Sequence, residues 1–159
     1  MKKIIIAVLI IGFIVTFVLS SPFKNDFDFN GTTYSHIKKM SGGEIVNHFY
    51  TPNGEELNVA KDFIQILEVS DKIQKDDWHN RFKPLYNQYN LKPVEEEDFD
   101  LYGKGQKAGM YYNSYATLIT VKGKEQMAFY INTTNAEQDE ESDSQKIDIF
   151  YELKKIKLD

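Results

Sequence analysis

The chain has 159 residues, of which 42% are hydrophobic, 14% aromatic and 27% charged, with a formal net charge of −5. That length fits one globular domain with at most a short appendage, and the composition is neither disordered nor low-complexity. A sequence without cysteine excludes disulfide scaffolds, Fe–S clusters, thiol catalysis, cysteine-ligated zinc and a lipoprotein anchor, and 19 basic against 24 acidic residues leave no basic footprint for nucleic acid.

Met1-Lys2-Lys3 precedes Ile4–Leu19, an uncharged run broken only by Gly12 and Thr16. Lysines ahead of an apolar stretch follow the positive-inside pattern, so the downstream chain is expected to leave the cytoplasm. Val18-Leu19-Ser20 suits signal-peptidase cleavage after Ser20, while the run extended to Phe23 is long enough to bridge a bilayer of roughly 30 Å. Residues 1–21 are therefore expected to be a signal peptide or a retained membrane anchor, and 22–159 a single domain. Without Lys2 and Lys3 the basic residues fall from 19 to 17 against 24 acidic ones, leaving a more acidic exported domain. A bacterial periplasm or outer surface suits it.

The body reads as strands around one helical segment. Phe27 and Phe29 precede Asn30-Gly31, a strong hairpin signal, with a return strand over Thr32–Lys38. Glu44–Tyr50 alternates as a strand and ends in the turn Thr51-Pro52-Asn53-Gly54. A helical turn over Leu57–Asp62 leads to a strand over Phe63–Ser70. The stripe Trp78, Phe82, Leu85 and Tyr89 marks a helix over Asp76–Asn90, with Pro84 either kinking it or dividing it at Lys83. Met110–Lys122 and Glu125–Thr134 form a hairpin about Gly123. After an acidic loop, Ile147, Ile149, Tyr151 and Leu153 alternate as a last strand over Lys146–Leu153. The fold class expected is α+β, an antiparallel sheet of hairpins or a meander with one main helix on a face.

Between His48 and Val69, an aromatic strand and a Pro/Gly turn lead through a short acidic helix to another strand. This stretch resembles a group of exported bacterial proteins of unassigned function, although the tryptophan expected near Val59 is missing. The resemblance implies an exported α+β domain and carries no catalytic residue.

Several patterns invite a chemical reading. Glu44 and His48 share a face of a regular strand, so a carboxylate–imidazole pair is feasible, yet no HxH or HExxH spacing accompanies it. Asp76-Asp77-Trp78-His79 joins two acids and a histidine, which a helix N-terminus explains more simply. Asp139, Glu141 and Asp143 match positions 1, 3 and 5 of a calcium loop, but Ser144 and Phe150 stand where glycine and glutamate are needed. The acidic run Glu95–Asp100 reads as an exposed connection. Gly103-x-Gly105-x-x-Ala108 mimics a dinucleotide fingerprint but lacks the strand-to-helix context, so Lys104 and Lys107 are expected on a flexible loop. No GxSxG or SxxK pattern is present.

Ten tyrosines remain, with Tyr111, Tyr112 and Tyr115 crowded on one strand and Tyr130 on the next. Tyrosine presents an apolar body and a polar tip, so these four are the candidate partner-binding residues. The expectation is a non-catalytic exported module that binds an envelope protein, one form being an inhibitor or immunity-type protein. It implies no cofactor, metal or nucleic acid, and membrane contact only through residues 4–19 if these are retained. The alternative is a small exported hydrolase using Asp76, Asp77 or Glu44 with His48 or His79.

Overall fold

A computed structural model describes residues 21–94, 98–135 and 142–159. The expected leader, apart from Ser21, lies outside the described residues. Eight strands, β1 (Phe27–Phe29), β2 (Thr32–Gly42), β3 (Ile45–Pro52), β4 (Asp62–Val69), β5 (Lys92–Pro93), β6 (Leu101–Lys107), β7 (Met110–Val121) and β8 (Lys124–Thr134), make one antiparallel sheet. Their order is β1-β2-β3-β4-β8-β7-β6-β5. The sheet is curled, and the ring of Phe29 on β1 reaches Tyr130 on β8, 4.8 Å away between centroids. Hairpin turns fall where the sequence supplies residues that tolerate positive φ: Asn30-Gly31 at 50° and 74°, and Lys122-Gly123 at 48° and 73°.

Among the described residues two α-helices, rather than the one main helix expected, pack on opposite faces. The first, α1 (Trp78–Gln88), follows a short 3-10 turn over Lys75–Asp77 and runs unbroken through Pro84. It covers Leu67, Met127, Phe129 and Ile131. The second, α2 (Asp143–Lys154), occupies the stretch expected to be a strand over Lys146–Leu153. Residues 146, 149, 150 and 153 also recur at helical spacing; the Phe150 and Leu153 side chains go into the core, while Ile147 and Tyr151 of the supposed strand face stay exposed. Ser142 and Gln145 form a capping box that starts this helix.

The supposed flexible loop at Gly103–Ala108 is also corrected. Lys104 and Lys107 belong to β6, and the two glycines lie on the face towards α1. A Cβ on Gly103 would collide with the Tyr89 carbonyl oxygen and sit 2.8 Å from the Asn90 carbonyl carbon, and one on Gly105 would strike the Tyr112 hydroxyl. The spacing admits the end of α1 to the sheet.

Candidate functional site

The four candidate tyrosines do not form one surface. Neighbouring residues of a strand face opposite sides, so Tyr112 packs on the α1 side and Tyr115 on the α2 side. Tyr115 is fully buried and Tyr112 and Tyr130 nearly so, while Tyr111 is half-exposed. The Tyr112 hydroxyl donates to the Gln88 carbonyl, 3.3 Å away, and accepts from the Asn90 amide at 3.2 Å. Burial raises the Tyr130 phenol to about 12. Three of the four thus hold the fold together, because the sheet is covered on both faces where a one-sided sheet had been expected.

The polar constellation that the fold assembles is His36–His48–Glu68. His48 sits on β3 opposite Ile66 of β4, so Glu68, two residues further along β4, is its diagonal neighbour. On the other side, the β2 register breaks between His36 and Lys38, and His36 opposite Tyr50 is likewise diagonal to His48. Three strands therefore place three polar side chains in one row. His48 Nε2 lies 2.9 Å from Glu68 Oε2, and His48 Nδ1 lies 3.3 Å from His36 Nε2. The His48 ring is 2% exposed and is stacked on Phe23 with centroids 4.3 Å apart.

Burial pushes the His48 pKa down, outweighing the hydrogen bond and charge of Glu68 that favour the cation. His36 is lowered as well, first by burial and then by the neighbouring His48. With both rings neutral, His48 donates from Nε2 to Glu68 and accepts at Nδ1 from His36. Both nitrogens of the buried ring are then engaged. Glu44, a feasible partner for His48 had the strand been regular from residue 44, instead sits in the turn before β3, where its carbonyl accepts from the Ser70 amide at 2.9 Å.

Glu68 also lines an open cleft of about 610 Å³ at one end of the sheet. Phe23, Val46 and Val69 give it apolar walls, and Glu44, Glu68, Asp71, Lys72, Lys122 and Lys124 give it charges of both signs. Asp71 and Lys124 pair at 2.6 Å across it. Both ends of the described domain meet here: the Lys122 amide donates to the Leu158 carbonyl at 3.1 Å, and Asn25 reaches the Asp159 carbonyl.

The other candidates stay apart from this row. His79 is on α1 and stacks on Phe99, 4.4 Å away, on the opposite side of the sheet from His48. Asp77 pairs with Arg81 at 2.9 Å, and hydrogen bonds from Arg81 and Asn80 lower its carboxyl pKa. Asp100, expected on an exposed connection, accepts from Thr117 and from Lys154 and is largely buried. Residues 95–97 and most of the calcium-loop pattern, 137–141, lie outside the described residues; Asp143, inside them, is 3.6 Å from Lys146. Among the described residues, no group of three or more His, Asp or Glu side chains is placed to hold a metal ion, and no helix is long and apolar enough to cross a membrane.

Comparison with known proteins adds no relative: no family model matches the chain, and neither a curated protein nor a solved structure matches it significantly.

Proposed function

We propose that the chain is an exported bacterial envelope protein, delivered or anchored by residues 4–19, whose domain binds another protein without catalysing a reaction. One observation carries this reading. The cleft offers apolar walls ringed by charges of both signs, while the imidazole behind it has both nitrogens engaged and its face covered by Phe23. An inhibitor or immunity-type role is one form of this, with the acidic domain set against a basic target.

Photo-crosslinking from position 72 in the cleft, compared with position 110 at the other end of β7, tests the proposal in envelope extract. A stoichiometric protein adduct from position 72 alone, weakened by salt and by Glu44→Lys on the same cleft, supports it. Equal labelling from both positions overturns the cleft as the contact. Fractionation that leaves the full-length chain free in the cytosol overturns export.

A second reading, a small exported hydrolase, draws on Glu68, whose carboxylate is 42% exposed in the cleft and oriented by His48. It requires a measured turnover that Glu68→Gln abolishes while the fold survives, and that result would replace the binding reading.

A further inference from the structure

The N-terminal turn, Pro22–Lys24, rests on the histidine row. Phe23 lies flat on His48 with ring planes 12° apart, and its carbonyl accepts from the Tyr50 hydroxyl at 2.6 Å. Pro22 and Phe23 in turn form one wall of the cleft. Whatever moves His48 moves that wall.

Two imidazole nitrogens facing each other at 3.3 Å have room for one proton between them. With both rings neutral, His36 Nε2–H donates to His48 Nδ1 and His48 Nε2–H donates to Glu68. One added proton is accommodated: His48 becomes a cation donating to Glu68 and to a His36 that has moved its own proton to Nδ1. A second proton is not, because two N–H groups then meet head to head. Lys39, opposite His48 on β2, and Lys24 on the N-terminal turn add positive potential, while Glu68 on β4 and Asp26 beyond the turn oppose it. Tyr50, the remaining titratable group at the row, has its phenol held far above the ordinary value by burial and stays neutral.

We propose that the His36–His48 pair is an acid-released latch: double protonation parts the two rings, removes the platform under Phe23 and lifts the turn Pro22–Lys24 from the sheet, opening one wall of the cleft. The latch works whatever the cleft receives. It also agrees with the low proton affinity of both rings in the closed form.

The amides of Lys24 and Asn25, bonded to the Ser21 and Pro22 carbonyls, report the closed turn. Their hydrogen exchange is to be measured on the full chain and corrected for the intrinsic pH dependence of exchange. From about pH 7.5 to about pH 5, either side of the ordinary histidine value of ~6.5, protection is expected to fall about tenfold. His36→Gln keeps an N–H able to donate to His48 but does not titrate, so with only His48 left to take up a proton its acid loss of protection should be clearly smaller than that of the wild type. Undiminished protection of the wild type at low pH, or an equal acid loss in H36Q, overturns the latch. Should H36Q disturb the turn at neutral pH, NMR titration of the wild type decides. The second proton uptake must then coincide with loss of the Phe23 ring-current shift on His48, and a shift that persists through it overturns the proposal.

Discussion

The two faces of the sheet bury similar amounts of chain with different side chains. The α2 face buries four tyrosines, Tyr34, Tyr50, Tyr115 and Tyr130, whereas the α1 face buries one, Tyr112, and gathers Leu67, Val69, Ile73, Met127 and Ile131 around Trp78, Phe82 and Phe129. On the first, hydroxyls tie distant segments by direction: Tyr34 donates to Asp62 and Tyr50 to the Phe23 carbonyl, both at 2.6 Å. On the second, shape does most of the holding, and the sheet dispenses with side chains at Gly103 and Gly105 so that α1 can approach. A buried polar row such as His36–His48–Glu68 is tolerated where hydrogen-bonding partners are already arranged, which explains why the candidate site lies on the aromatic face.

The strongest way to break that contrast is to remove the ring that centres the α1 face. Phe82 is fully buried between Trp78 and Tyr86 and has no polar atom to lose. Phe82→Ala should therefore cost ~3–5 kcal/mol, combining lost transfer energy with a cavity that α1 cannot easily close. Denaturant unfolding checks this through a lower midpoint at unchanged slope. A loss under about 1 kcal/mol would mean that the α1 side lacks the close packing described here.

Gly103→Ala sharpens the same contrast at smaller amplitude. The added methyl meets the backbone of Tyr89 and Asn90, which cannot swing aside as a flexible side chain would. A cost of ~1–3 kcal/mol is expected from overpacking, read as a lower Tm. An unchanged Tm would show that the end of α1 rides loosely over β6.

Gly103 also marks a limit of what is legible in the sequence. The period-two glycines were visible, but their purpose depends on what crosses the strand. The hairpin about Asn30-Gly31, the strands from Phe27 to Ser70 and the hairpin about Gly123 were legible because alternation and turn chemistry agreed there. The segment before the C-terminus carried two periods at once. Ile147, Ile149, Tyr151 and Leu153 alternate as in a strand, while the Ser142–Gln145 capping box and the 146, 149, 150, 153 spacing belong to a helix. The cap was the signal that should have decided between them. For the candidate site, His48 stands out in the sequence but its carboxylate does not, since Glu44 is near in sequence and Glu68 only across the β3–β4 register. Tyr112, Tyr115 and Tyr130 appeared to offer a surface because nothing local reveals that a helix covers each side of the sheet.

The smallest expected effect bears on those tyrosines directly. Tyr115 is enclosed by Tyr102, Tyr130 and Phe150, with ring centroids 5.1, 5.9 and 5.6 Å away, and its buried hydroxyl has no hydrogen-bond partner among the described residues. An unpaired buried hydroxyl costs its desolvation without return, while the ring contacts survive its removal. Tyr115→Phe should thus leave stability unchanged or raise it by up to ~1 kcal/mol, in contrast to Tyr50→Phe, which forfeits the bond to Phe23 and should lose about as much. Paired denaturation curves of the two variants make the comparison. If Tyr115→Phe were the more damaging of the two, the hydroxyls of the aromatic face would not divide into those that bind a distant segment and those that merely come with the ring.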